Sequence, residues 1–153
     1  MASVKGCELP DDLWYDVENL LWYRPETEGL VRVGPTRVAV AMGGEVVGAT
    51  PKRADRRLEP GQACAVVEAG KYVGPAKIAF ACHVVDSHEA LMDDPSPVNR
   101  DPYGEGWFVL VRPDDWAAAS AALLYGPAAI EPFLAKMAEE EFEGCEASGG
   151  VES

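Results

Sequence analysis

The sequence contains no run of about 18 or more apolar residues, the length that a helix needs to cross a bilayer. Its first residues, MASVKGCELPDD, also lack the basic and apolar regions of a secretory signal peptide. The sequence therefore shows neither a transmembrane helix nor a signal peptide, the usual marks of membrane and exported proteins. We therefore expect a cytoplasmic protein that does not enter a membrane.

Basic residues are scarce in this chain. Lysine and arginine number 13 against 26 aspartates and glutamates, which gives a formal net charge of −13. Such a charge repels nucleic-acid phosphates and anionic lipids, so neither is expected as a partner. Partner proteins with basic surfaces suit the chain better, although acidity that serves only solubility explains the charge equally well.

The four cysteines show no Cys-x-x-Cys spacing of the kind found in structural zinc sites. Cys64 and Cys82 lie in apolar, strand-like runs, where cysteine usually serves as a small core residue. A metal site made of Cys82, His83 and His88 is not expected either. His83 should point to the opposite strand face from Cys82, and no fourth ligand is placed.

Length and composition fit one globular domain over residues 1–153, of which 48% are hydrophobic. Short Val- and Ala-rich runs between Gly, Pro and Asp clusters predict a mainly β core over about residues 10–112. Helices are expected over 113–143 and a flexible tail over 144–153. The predicted strands are 30–33, 37–41, 46–49, 63–68, 77–85 and 107–111.

Two helices are expected in the C-terminal region. Asp114 or Asp115 can cap the first, and Gly126 can end it. Its predicted buried stripe consists of Trp116, Leu123 and Leu124. The second is expected from about residue 127 through 142, with Pro132 placing its firm part later.

One lysine is presented by a strand that leads into a glycine-containing turn, Glu68-Ala69-Gly70-Lys71-Tyr72. Glycine lets a hairpin reverse without steric cost, so we expect Lys71 to project from the tip. A lysine that carries a cofactor needs this geometry, because the amine must reach an attaching enzyme and the loaded arm must then swing between partners. A merely solvated lysine is the more usual occupant of such a turn.

The residues around this hairpin bear on whether Lys71 carries a cofactor or is only solvated. Glu68-Ala69-Gly70-Lys71 is followed, at fixed spacing, by His88-Glu89-Ala90-Leu91 and by the seven residues 101–107, DPYGEGW. In these segments the chain resembles the glycine cleavage H-protein family, whose lipoylation motif reads ESVK and whose later signature reads DPYGEGW. The proline and glycines of 101–107 predict a turn that buries Trp107 and exposes Glu105.

The resemblance implies a flattened β-barrel, the barrel-sandwich hybrid of lipoyl domains, made of two antiparallel sheets with C-terminal α-helices. It also implies lipoate bound as an amide to Lys71, with Glu68, Ala69, Gly70 and Tyr72 forming the hairpin around it. The chain is then a carrier and not an enzyme, and its partners include the lipoate ligase or other lipoyl-attachment enzymes.

Other residues resemble a sister group of the glycine cleavage H proteins. The family's His-Glu-Trp beside the arm is matched here by Leu20-Leu21-Trp22, and the hairpin Gly70-Lys71-Tyr72-Val73-Gly74-Pro75 is similar to that of lipoate-binding proteins of the sulfur-oxidising heterodisulfide-reductase-like system. This predicts an arm that shuttles sulfur-derived intermediates to a heterodisulfide-reductase-like complex. The alternatives are an aminomethyl carrier serving glycine-cleavage enzymes, and an unlipoylated scaffold or binding module.

The roles of two further groups of residues stay open. Cys7 and Cys145 fit cysteine positions of the same sister group. In this chain they either form a redox-sensitive disulfide, accept sulfur, or remain two free thiols. The basic residues Lys52-Arg53 and Arg56-Arg57 form a small loop that either docks an acidic partner or is only solvated.

Overall fold

Two antiparallel sheets and a small N-terminal hairpin form the fold in a computed structural model that describes residues 2–145. The strands are β1 Ala2–Val4, β2 Cys7–Leu9, β3 Trp14–Asp16, β4 Leu21–Pro25, β5 Val31–Pro35, β6 Val46–Pro51, β7 Arg57–Leu58, β8 Ala63–Ala69, β9 Val73–Lys77, β10 Cys82–Ser87, β11 Val109–Pro113 and β12 Leu124–Tyr125. The α-helices are α1 Arg37–Gly43, α2 Ser96–Arg100, α3 Trp116–Ala121 and α4 Ile130–Glu139. Single 3₁₀ turns lie at Thr27–Gly29, Glu89–Met92 and Gly126–Ala129.

The larger sheet has seven strands in the order β12-β3-β4-β5-β11-β10-β7, and the smaller has three in the order β6-β8-β9. The paired strands run antiparallel, as in β4–β5 and β8–β9. The predicted fold class, mainly β with two antiparallel sheets and helices at the C-terminal end, is confirmed. Within residues 2–145, no helix is long and apolar enough to cross a membrane.

The seven-stranded sheet contributes residues to two hydrophobic cores. Alternate residues of β5 and β11, such as Val33 and Val111, point into a core shared with the three-stranded sheet. Trp22 of β4 belongs instead to a second core, which α4 covers with Phe133 and Met137. The α4 helix therefore packs on the sheet face that lies away from the smaller sheet.

The predicted strand at 37–41 is wrong, because this segment forms helix α1. The Thr36 hydroxyl accepts a hydrogen bond from Ala39 N at 3.1 Å and caps the helix, and Gly44, with φ of 86°, ends it. Val38 faces one core and Val40 the other. A short apolar run that is buried on two sides has no periodicity that distinguishes a helix from a strand.

The first C-terminal helix is shorter than predicted. Asp115 caps α3 as expected, through a hydrogen bond from Ala118 N, but the helix buries none of its residues and ends at Ala121. Leu124 and Tyr125 then pair with β3 at the edge of the larger sheet. Strand pairing therefore replaces the predicted last turn. The predicted stripe does not form on one helix, but Leu123 is buried and Trp116 and Leu124 are half-buried against the cores.

The second C-terminal helix starts later and ends earlier than predicted. Residues Gly126–Ala129 form a 3₁₀ turn, α4 ends at Glu139, and Phe142 lies beyond it. Within the predicted tail, Gly144 is buried and Cys145 is bonded to Cys7, so these two residues are held. The rest of that tail, 146–153, lies outside the described residues.

Candidate functional site

The hairpin between β8 and β9 presents Lys71 to solvent. Glu68, Gly70, Lys71 and Tyr72 are exposed, whereas Ala69 is half-buried. The register pairs Glu68 with Val73, which leaves Lys71 at the tip. The structure thus brings the five predicted hairpin residues together with the lysine outermost.

The backbone of this tip is clamped by the turn that follows α1. Lys71 N donates to the Gly43 carbonyl at 2.7 Å, and Gly70 N donates to the Glu45 carbonyl at 3.1 Å. Across the hairpin, Ala69 N donates to the Tyr72 carbonyl at 2.8 Å. Because both amides at the tip have partners, the lysine side chain moves on a fixed base.

Tyr72 stiffens the other side of the tip. Its hydroxyl donates to the Pro75 carbonyl at 2.7 Å, so the ring lies along β9. A Cβ added at Gly74 would come within 2.9 Å of that hydroxyl, so a larger residue there must displace the ring. Glycine at 74 therefore gives Tyr72 its place beside Lys71.

Next to Lys71 lies a cleft with a volume of about 410 Å³ between the two sheets and α1. Its walls are mainly apolar side chains: Leu20, Leu21, Val40, Met42, Val67 and Phe108. An alkyl arm extended from the Lys71 amine has both room and matching surface in this cleft. The residues present therefore fit a long apolar group attached to that amine.

Helix α4 contributes a cation to the rim of the cleft. Lys136 of α4 lines it, and its Nζ is 3.7 Å from the carboxylates of both Glu18 and Glu140. The Lys136 side chain is only 15% exposed, whereas Glu18 is largely exposed. This rim joins α4 to the loop before β4.

The cleft wall at Leu20 is held in an uncommon conformation. Leu20 has a positive φ of 60°, and its carbonyl accepts hydrogen bonds from both the amide and the hydroxyl of Thr36, each at 3.0 Å. Thr36 is fully buried and also caps α1. A single side chain therefore connects the cleft wall to the helix whose end clamps Lys71.

Replacing Thr36 with Val is expected to lower the free energy of unfolding by about 1–2 kcal/mol, because the cap is lost from α1 and one bond to Leu20 disappears. Urea unfolding measures the change. Thr36→Ser is the matched control, since it keeps the hydroxyl and should lose clearly less. Equal losses in the two variants would show that packing of the Thr36 methyl, rather than the hydroxyl, matters.

The DPYGEGW turn connects distant parts of the chain. The Tyr103 hydroxyl donates to the Glu8 carbonyl at 2.6 Å and accepts from Arg37 N at 2.9 Å. Trp22 Nε1 donates to the Pro102 carbonyl at 2.9 Å. Glu105 is exposed, as predicted. These contacts indicate a structural role for the motif, which fixes the start of α1.

Trp107, however, is only half-buried, contrary to the prediction of a buried residue. Its ring lies between the Arg32 guanidinium, 4.4 Å from the ring centroid, and the stacked His88 imidazole, at 4.5 Å between centroids. Polar groups thus cover its two faces in place of a core. The sequence around Trp107 gives no sign of these neighbours, which come from other strands and turns.

The cysteines divide into two pairs with different surroundings. Cys7 and Cys145 form a disulfide with a Cα–Cα distance of 5.0 Å, which joins the N-terminal hairpin to the end of the described chain. Cys64 and Cys82 are free and buried, and burial raises the pKa of each thiol to about 12. These two thiols are therefore unionised at neutral pH and serve as core residues, as predicted.

Metal binding has no support in the described part of the chain. Over residues 2–145 no group of three or more histidine, cysteine, aspartate or glutamate side chains is placed to hold a metal ion. His83 is exposed on the strand face opposite the buried Cys82.

Comparisons with known proteins agree with this geometry. The sequence profile described as glycine cleavage H-protein matches residues 13–136. Glycine cleavage system H protein 5 of Aquifex aeolicus is 37% identical over 134 residues, which cover 86% of this chain and 90% of that protein. A probable glycine cleavage system H protein 2 of Sulfurisphaera tokodaii is 35% identical over 73% of this chain and 77% of that protein.

A solved structure gives the same picture. The crystal structure of a glycine cleavage system H protein from Mycobacterium marinum superposes with a TM-score of 0.69 at 30% sequence identity. The match covers 81% of this chain and 98% of that one. The similarity in sequence and in fold therefore extends over most of the molecule.

Proposed function

The chain belongs to the glycine cleavage H-protein family, and from that premise we propose that its lipoyl arm is attached to Lys71. Proteins of this family are lipoyl carriers and not enzymes, so the chain serves partners that carry out the chemistry. The observation that carries the proposal is the exposed Lys71 amine on a clamped hairpin tip, beside an apolar cleft large enough for an arm.

The other described lysines are less well placed to carry a lipoyl arm. Lys136 is mostly buried and engaged by two carboxylates, and Lys5 and Lys52 do not line the cleft. Lys77 lines the cleft but lies at the end of β9 and not at the hairpin tip. Only Lys71 among them combines an exposed tip position with access to the cleft.

The chain's own residues would hold and limit the arm. The Gly43 and Glu45 carbonyls keep the Lys71 backbone in place, so that swinging is confined to the side chain and whatever it carries. Leu20, Met42 and Val67 offer apolar surface on which the arm can rest away from water. When attached, lipoate supplies a dithiolane that is reversibly reduced while it holds a cargo.

For the cargo, we propose the aminomethyl group of glycine cleavage, carried between the enzymes of that system. The support is that the relatives from Aquifex aeolicus, Sulfurisphaera tokodaii and Mycobacterium marinum are all named as glycine cleavage system H proteins. The sequence-based preference for sulfur oxidation receives no support from these relatives. The attaching partner in either case is a lipoate ligase or another lipoyl-attachment enzyme.

One observation keeps sulfur-derived cargo as a second candidate. In the family's His-Glu-Trp position, Leu21 and Trp22 are buried in the two cores, and both Leu20 and Leu21 line the cleft. Residues 20–22 therefore offer neither an imidazole nor a carboxylate to a cationic aminomethyl group, and the carboxylates that line the cleft, Glu18 and Glu140, are paired with Lys136. An uncharged or sulfur-bearing arm end suits an apolar wall better.

Release of CO₂ from glycine decides between the two cargoes. The lipoylated chain, mixed with a glycine decarboxylase and an aminomethyltransferase, is expected to support release well above that seen with the unlipoylated chain. The lipoylated Mycobacterium marinum protein serves as the positive control for the enzymes. Release at background level with this chain alone would overturn the aminomethyl proposal, and sulfur added to the reduced arm by a sulfane-sulfur donor would then support the second candidate.

A further inference from the structure

An unneutralised basic loop lies far from the lysine hairpin. Residues 52–57 contain four of the 13 lysines and arginines. Arg57 is engaged by the carboxylates of Asp114 and Glu59. Lys52, Arg53 and Arg56, by contrast, have no ion pair or side-chain hydrogen bond within residues 2–145.

The loop is ordered by its backbone. Lys52 N donates to the Cys64 carbonyl, Asp55 N donates to the Val84 carbonyl, and Val84 N donates to the Arg56 carbonyl, each at 2.8 Å. Asp55 makes the turn with a positive φ of 67°. The cations are therefore presented from a fixed base, which lowers the entropy lost when they bind a partner.

The surface that they form is concave. A depression with a volume of about 560 Å³ is lined by the four cations together with Leu58, Gln62 and Ala63. The side-chain Oε1 of Gln62 accepts from Glu59 N at 2.8 Å, which leaves the side-chain amide hydrogens available. Lysine, arginine and glutamine side chains thus border one depression, and all three types donate hydrogen bonds to anions.

The charge around this site limits what can bind. Residues 52–57 carry a net charge of +3, from four cations and Asp55, and the remaining residues carry −16, which together give the chain's −13. Glu59 and Asp114 pair with Arg57, so among the described residues the loop cations without a carboxylate partner are Lys52, Arg53 and Arg56. A polyphosphate chain that extends beyond the loop meets that negative charge, whereas a local group of carboxylates does not, because screening acts over about 8 Å in physiological salt. We propose that the loop is a docking surface for the carboxylate-rich surface of a partner protein.

The position of the loop suits a carrier. Pro51 pairs with Ala65, and Val46 pairs with Ala69, so the loop and Lys71 lie at opposite ends of the three-stranded sheet. From Ala65 to Ala69 the strand advances four residues, or roughly 13 Å, and the hairpin turn with Lys71 lies beyond that end. A partner held at the loop leaves the Lys71 side chain free to move. This last advantage rests on the proposed function, whereas binding at the loop does not.

The test is a titration of the ¹⁵N-labelled, unmodified chain with a hexa-L-glutamate peptide at low ionic strength. We expect amide shifts confined to 52–58 and 62–63, which disappear in high salt. The Arg53→Glu/Arg56→Glu variant is expected to weaken binding by more than about tenfold. The matched control, Lys5→Glu/Arg100→Glu, changes the net charge equally at two exposed sites elsewhere and should keep the affinity within about twofold.

Three results would overturn the proposal: shifts spread over other cations, equal weakening in the control, or tighter binding of hexathymidylate at the same amides, which would assign the site to phosphates. Thermal unfolding of both variants verifies that they are folded. Because the unmodified chain is used, a negative result leaves the Lys71 proposal untouched, and absence of lipoylation leaves this one untouched.

Discussion

Lys71→Arg is expected to abolish lipoylation of the chain completely, whereas Lys77→Arg leaves it unchanged. Arginine keeps the positive charge but stays protonated under all ordinary conditions, so it offers no free amine for amide formation. Lys71 is exposed and its backbone bonds do not involve the side chain, so the change should alter the free energy of unfolding by less than about 0.5 kcal/mol. Intact mass after treatment with a lipoyl-attachment enzyme and lipoate gives the answer.

Lys77 is the matched control because it is exposed, lies on the same hairpin and borders the same cleft. If Lys71→Arg still gained the mass of a lipoyl group, attachment would occur at another lysine, and peptide mapping would locate it. If both variants stayed unmodified while the natural chain was modified, the attaching enzyme would require both lysines of the hairpin. The result would then not identify Lys71 as the attachment site. Either result contradicts the attachment proposed here.

The local sequence was sufficient to predict the lysine hairpin. Its strand, its glycine turn and its spacing to the DPYGEGW segment are all contiguous patterns, and the structure places the tip as they predict. The Asp115 cap of α3 was predictable for the same reason, because capping depends on neighbours within one helical turn.

Features that depend on distant neighbours could not be predicted from the sequence. The α1 helix is buried on two sides, so its apolar residues show no helical period. The bonds from Thr36 to Leu20 form only because the fold brings residues 16 positions apart together. Likewise, Trp107 is half-buried because Arg32 and His88 cover it, and neither is its neighbour in sequence.

Breaking the Cys7–Cys145 disulfide is expected to cause the largest loss of stability. The bond closes a loop with a sequence separation of 138 residues, so in the chain-entropy description it restricts the unfolded state by about 5 kcal/mol. This figure is an upper value for the measured effect. Urea unfolding of the natural chain with and without reductant measures the loss, and Cys7→Ser/Cys145→Ser should reproduce it.

The double variant is also the control for the reductant, which should have no effect on it. Thiol labelling adds an independent test: without reductant the folded chain should show no reactive thiol, and after reduction Cys7 and Cys145 should react while the buried Cys64 and Cys82 stay protected. Full labelling of two thiols before reduction, or a loss below about 1 kcal/mol, would contradict the prediction. Disulfides seldom persist in a reducing cytoplasm. In such a compartment the chain would exist in its reduced form, which has the lower free energy of unfolding. The redox state of the surroundings would then decide whether the N-terminal hairpin is covalently bonded to Cys145.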